Sequence, residues 1–357
     1  MYYLLTSKHG QCIIIKTVHI TEQGMKYMKF LKKILAGTVA AMMLFSFASC
    51  KDNGQNGGTT PDDSGEVATS SYEREVKTKL ASLSGPLGVG IAKLAADRDY
   101  AYETTIYSDA NQISELLKNS GADIGVLPVN AAAKLYNETN GAVKILAVNN
   151  LGVFHILEKG DKIKSISDLK GKTVYTVGES ALPEYLLSSV LSKNGIKGSV
   201  SVKYAADYDE ITALVSEGKA DIVMLPEPYA AKAEGMRYAL DVADEWGKAY
   251  GTPFAQGVVV ARADYITENP HYIETFLMQN EVSVNFLIEL PQVSGTLAFE
   301  TGYYDDVELA KKSVPGINPA FIRGEKMKES LSAVFEMLGD ANPELIGGKV
   351  PDNGIYY

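Results

Sequence analysis

Gln112-Ile113-Ser114-Glu115-Leu116-Leu117, followed by Gly121-Ala122-Asp123-Ile124-Gly125-Val126-Leu127-Pro128, returns later in the chain in a second form. There it reads Glu210-Ile211-Thr212-Ala213-Leu214-Val215, then Gly218-Lys219-Ala220-Asp221-Ile222-Val223-Met224-Leu225-Pro226. Each copy reads as a helix, a glycine turn and an apolar strand stopped by proline, and each runs on into Ala-Ala-Lys (Ala132 to Lys134 and Ala230 to Lys232). Such self-similarity marks one supersecondary unit used twice.

Working outward, the correspondence continues upstream. Residues 77–82 read as a strand leading through Ser84-Gly85-Pro86 into a helix over 90–96. Residues 172–177 read as a strand leading through Gly178-Glu179-Ser180 into a helix over 183–191. Each unit therefore alternates strand and helix, which demands parallel strands with helical crossovers. Apolar strands at 143–148, 153–157 and 256–262 and helices at 270–289, 305–314 and 324–338 complete the body. The expected fold class is α/β with two lobes, each a mostly parallel sheet flanked by helices, joined by a hinge of two segments. Residues 73–159 and 252–357 are expected to form lobe 1 and residues 160–251 lobe 2, with crossings near 149–155 and 252–257.

The N-terminal part has a different composition. Residues 28–33 are basic, residues 34–48 are apolar and uncharged, and Ala48-Ser49-Cys50 follows. Basic, apolar and small-residue segments in that order read as an export signal over 28–49. The apolar run falls short of the ~20 residues that a spanning helix needs. Its ending resembles a bacterial lipobox, with Phe47 where such sites usually carry Leu, and this implies diacylglyceryl transfer to Cys50. Residues 1–27 read as an over-extended start, translation beginning at Met25 or Met28. The stretch after Cys50, to residue 72, is rich in Gly, Asn, Asp, Ser and Thr and reads as a flexible tether. A body held at a membrane face is expected, at the outer face of the cytoplasmic membrane or in the periplasm.

Charge narrows the function. The first 49 residues carry six Lys and one Glu, which leaves 28 basic and 43 acidic residues, a net −15, on the rest. A body that acidic is repelled by nucleic acid. The two cysteines, Cys12 and Cys50, lie on opposite sides of the expected cleavage point, and the four histidines have no second ligand at metal spacing. No metal, cofactor or catalytic residue is expected.

Ligands of open α/β sheets bind beyond the carboxyl ends of strands, where helix N-termini present free N–H groups. Two facing lobes give a cleft expected to be lined by four loops: 82–89, 128–130, 178–183 and 226–229. The candidate ligand contacts are Ser82, Ser84, Gly85, Pro86, Tyr107, Asn130, Gly178, Glu179, Ser180, Glu227, Tyr229 and Gln256. Ser84 also suits a simple helix cap. Glu227, fixed between Pro226 and Pro228, suits either an amine-bearing ligand or the positive end of a helix dipole. Tyrosines beside the loops suit a flat heterocycle, and the four loops contain no Arg to bind an anion.

The run Ser167-Asp168-Leu169-Lys170-Gly171-Lys172-Thr173-Val174, with the duplicated lobes and the lipobox, resembles solute-binding proteins of ABC importers in the sulfonate, nitrate and thiamine-precursor group. Gly85-Pro86-Leu87-Gly88, Pro183-Glu184-Tyr185, Leu225-Pro226-Glu227-Pro228 and Gly348-Lys349-Val350-Pro351-Asp352 look like a lipoprotein branch of it. The resemblance implies a type II periplasmic-binding-protein fold, a monomer that captures a small-molecule solute by hinge closure, and a permease and ATPase as partners. A ligand-sensing lipoprotein without transport and an enzyme on the same fold are the two alternatives. The loops hold no nucleophile–base pair, which weighs against the enzyme.

Overall fold

The computed structural model describes residues 77–96 and 102–357. The export signal, Cys50 and the tether lie outside the described residues. In the first half, strands β1 (Thr78–Leu83), β2 (Tyr102–Tyr107), β3 (Ile124–Pro128) and β4 (Val143–Leu151) alternate with helices α1 (Ala92–Ala96), α2 (Ala110–Lys118) and α3 (Val129–Glu138). The second repeat gives β6 (Thr173–Thr176), α4 (Leu182–Lys193), β7 (Ser201–Tyr204), α5 (Tyr208–Ser216), β8 (Ile222–Pro226) and α6 (Tyr229–Lys232). Strand β5 (Phe154–Glu158) precedes it, and β9 (Arg237–Asp241) and α7 (Val242–Tyr250) follow it. The chain then runs through β10 (Ala255–Arg262), α8 (Ala263–Glu268), α9 (Pro270–Glu289), α10 (Pro291–Glu300), α11 (Val307–Ser313), β11 (Pro319–Ile322) and α12 (Glu325–Ala341).

Two sheets result, ordered β11-β4-β10-β3-β1-β2 and β7-β6-β8-β5-β9. They define two α/β lobes. The duplicated strands pair in parallel, β1 with β2 and β3, and β6 with β7 and β8. Both sheets are nevertheless mixed rather than mostly parallel. The crossing strands enter each sheet in the opposite sense, so β10 is antiparallel to β3 and β4, and β5 to β8 and β9. Strand β5 also corrects the expected lobe boundary at 160. Its five residues are all buried between β8 and β9, so the second sheet takes up the chain at Phe154.

The first crossing is therefore two residues long, Gly152 and Val153, and the second spans 251–254. Helix α7 ends on Gly251, whose φ of 74° is left-handed, the conformation a glycine adopts without steric cost. Next to it Trp246 is buried, stacks on Tyr250 at 3.7 Å between ring centroids, and meets Phe254 edge-on at 5.1 Å. Aromatic burial thus anchors the return strand just before it enters the first sheet.

Candidate functional site

Strand β1 ends in a loop that requires glycine at two positions. A Cβ on Gly88 would fall 1.6 Å from the Leu83 carbonyl oxygen, and Gly85 has a left-handed φ of 71°. The Ser84 amide donates to the Tyr107 carbonyl at 2.8 Å, and the Gly85 amide to the Tyr303 carbonyl at 2.9 Å. These bonds hold the loop at the rim of the first lobe. Across from it, β8 ends in Pro226-Glu227-Pro228, with a cis bond between Glu227 and Pro228. Val153, in the crossing segment, is held from both sides. Its amide donates to Gln256 Oε1 of the first lobe at 2.9 Å, and its carbonyl accepts from the Glu227 amide of the second at 2.9 Å.

Between these elements lies a cavity of about 1090 Å³. Its walls include the β1 loop, the end of β8 with α6, and residues 302–306, 308, 309 and 312 between and along α10 and α11. Tyr208 and Tyr229 stack at 4.2 Å on the second-lobe wall, with Lys232 Nζ 5.5 Å from the Tyr229 ring centre. Burial pushes the Tyr208 hydroxyl up to about 12, so it stays protonated and available as a donor. Tyr303 and Tyr304, both buried, face them from the first lobe, and burial raises their hydroxyl pKa as well. Five carboxylates line the cavity (Glu227, Glu234, Asp305, Asp306, Glu308) against two lysines (Lys232, Lys312) and no arginine.

Glu227 is 3% exposed. Its Oε1 accepts a 2.7 Å bond from the Tyr238 hydroxyl, and its Oε2 has no hydrogen-bond partner. Burial pushes the carboxyl above its ordinary range, and the Tyr238 hydroxyl, His155, and the nearby Ser313 hydroxyl and Ala231 amide, which make no hydrogen bond of good geometry to it, only partly offset that. An unpartnered buried oxygen costs desolvation energy, which a bound donor would recover.

Of the residues expected to contact ligand, Ser84, Gly85, Pro86, Glu227, Tyr229 and Gln256 line this one cavity. The others do not. Ser82 turns inward and is fully buried, its Oγ 3.4 Å from the Gly88 carbonyl. Tyr107 serves the loop through its backbone, while its side chain lines a separate depression beside β1. Asn130 sits in the first turn of α3, because β3 passes into that helix without an intervening loop. The Gly178-Glu179-Ser180 loop folds onto its own helix: the Ser180 amide donates to Glu184 Oε2 at 2.6 Å, and Glu179 and Ser180 are exposed. The two repeats are thus equivalent in fold but not in their share of the cavity. Tyr208, Tyr303, Tyr304, Asp305 and Lys312 were missed. Tyr303-Tyr304-Asp305-Asp306, an aromatic pair beside two acids, was the signal that would have found the third wall.

Two α/β lobes joined by two crossing segments, with a polar and aromatic cavity at their junction, define the periplasmic-binding-protein class of fold. The model of the family described as NMT1/THI5 like matches residues 103–294, and the chain belongs to that family. No curated protein matches at a significant level. Among solved structures, an ABC transporter protein from Parabacteroides distasonis superposes with a TM-score of 0.66 at 21% identity, covering 79% of this chain and 99% of that one. The periplasmic aliphatic sulphonate binding protein from Escherichia coli gives a TM-score of 0.62 at 16% identity, covering 79% and 92%. A putative periplasmic sulfonate-binding protein from Methylobacillus flagellatus gives 0.55 at 14%, covering 78% and 91%. At these identities the likeness is one of fold.

Proposed function

We propose that the protein is an exported, lipid-anchored solute-binding protein that takes an amine-bearing aromatic heterocycle into the interlobe cavity and delivers it to an ABC permease and its ATPase. One observation carries the choice of ligand: Glu227, buried in the cavity wall, has one carboxylate oxygen without a hydrogen-bond partner. A ligand ammonium or protonated ring nitrogen supplies a charged donor to that oxygen. The tyrosines on both walls suit the faces of a flat ring, and the excess of carboxylates over lysines favours a cation over a sulfonate or nitrate. The neighbours named for sulfonate binding share the fold. The lipobox-like ending at Cys50 and the polar stretch after it support anchoring to the membrane face. Ligand-linked closure follows from the walls coming from both lobes, since a solute touching both favours the state in which they meet.

A thermal-shift screen of aminopyrimidines, other amine-bearing heterocycles, taurine and nitrate tests the reading. A rise in melting temperature with one or more of the amines, and none with taurine or nitrate, is the expected result. Stabilisation by the anions alone refutes the ligand class.

A further inference from the structure

At Glu227 the first-lobe backbone around Gly316 lies directly against side chains of the second lobe. His155 lies on β5, its side chain 6% exposed, between Leu225 of β8 and Asp241 of β9. Its Nε2 is 2.8 Å from the carbonyl oxygen of Gly316, in the first-lobe segment between α11 and β11. A carbonyl only accepts, so Nε2 carries the proton and donates. The same Nε2 is 3.9 Å from Glu227 Oε1, and the ring meets Tyr238 edge-on at 5.1 Å, the tyrosine that donates to that oxygen. On the far side, Nδ1 is 3.6 Å from Asp241 Oδ2, which accepts from Asn318 of the first lobe at 2.7 Å. A Cβ at Gly316 would stand 2.5 Å from Glu227 Oε1 and 3.1 Å from His155 Nε2. The backbone of one lobe therefore touches the carboxylate of the other so closely that a side chain there would displace it.

We propose that His155 is a positioning residue for the cavity: by donating to the Gly316 carbonyl it holds the first lobe against Glu227 and so sets both the placement of that carboxylate and the angle between the lobes. Gly316 is the complementary half of the contact, bare where its backbone approaches the Glu227 and His155 side chains. The proposal rests on the reading of Glu227 as the ligand anchor. Its test needs no ligand, so an incorrect ligand class leaves the outcome unchanged.

The measurement is amide hydrogen exchange by mass spectrometry on the full chain without added solute, following peptides that cover 227–231 and 311–318. His155→Phe keeps the bulk and removes the donor, whereas His155→Gln places an amide N–H near the Nε2 position. Exchange in both peptides is expected to quicken about two- to tenfold in H155F, the population shift that one net hydrogen bond confers. In H155Q it is expected to remain at the wild-type rate, a rescue that a purely packing role would not give. Wild-type rates in H155F, or equal acceleration in both variants, overturn the proposal. If H155F fails to fold by circular dichroism, His155→Leu, which removes the donor with a smaller apolar side chain, is compared with H155Q in its place. Faster exchange in both peptides than in H155Q supports the proposal, and equal exchange refutes it.

Discussion

The surroundings of Glu227 oppose its ionised form, and the sign of that opposition is testable. Burial raises its pKa in the folded chain, so the folded state binds this proton more readily than the unfolded state. Its contribution therefore favours the folded state at low pH and turns into a cost as pH rises through the folded value. Glu227→Gln removes that cost while keeping an acceptor for the Tyr238 hydroxyl. At pH 7 the ligand-free variant should melt at or above the wild-type temperature, and the stability gained by the wild type on acidification toward the ordinary carboxyl range should flatten. Affinity for a stabilising amine should nevertheless fall by about 2–5 kcal/mol, the usual consequence of truncating one partner of a buried charge pair. Calorimetric titration of both forms checks the loss, and an unaltered affinity would make Glu227 structural. This residue was legible in the sequence because two prolines fix it at a strand end. His155 was not: a lone histidine on an apolar strand gives no sign of a partner such as Gly316, which lies 161 positions away.

Among the elements, the ones read correctly from sequence are those whose limits are written locally. Helix α9 begins at Pro270 and ends at the Leu290-Pro291 break, so its length was fixed by its own residues. Helix α10 has no counterpart among the helices expected from sequence, which pass from 270–289 to 305–314. Its packing is tertiary: a Cβ on Gly295 would lie 2.6 Å from Lys311 Cα and 2.7 Å from Lys311 N, so the glycine lets α10 lie directly on α11. Gly295→Ala gains up to about 1 kcal/mol of helix propensity, yet overpacking against backbone costs about 1–3 kcal/mol. A net loss in urea denaturation is expected, and a stabilised variant would show that α11 yields easily. The short β11 also escaped, since its four residues are all half-buried and no alternation announces a strand. The cavity suffers from the same blindness. The β1 and β8 loops follow from the repeat, but the wall at 302–312 arrives from the long C-terminal return, which has no counterpart in the repeat.

For the whole molecule, the binding reading requires that the lobes move as bodies about Gly152–Val153 and 251–254. Small-angle scattering of the protein with and without a stabilising amine should show a smaller radius of gyration when the amine is bound, and Glu227→Gln should lose that contraction at the same concentration. An unchanged radius with saturating amine would mean that capture proceeds in a fixed cavity. The two-lobed plan itself was readable from the duplicated helix–strand units, whereas the exact seam was not, because β5 lies next to β4 in sequence and belongs to the other sheet. The placement of β10 has a separate consequence for biogenesis. It sits between β4 and β3, with Ala255 opposite Leu151, so the second lobe is an insertion whose two ends meet inside the first sheet. A nascent chain must therefore wait for about a hundred further residues, roughly 5–20 s at ordinary elongation rates, before the gap between β3 and β4 can be filled. Until then both strands expose unpaired edges, which makes the half-made first lobe, rather than the finished protein, the form most in need of a chaperone.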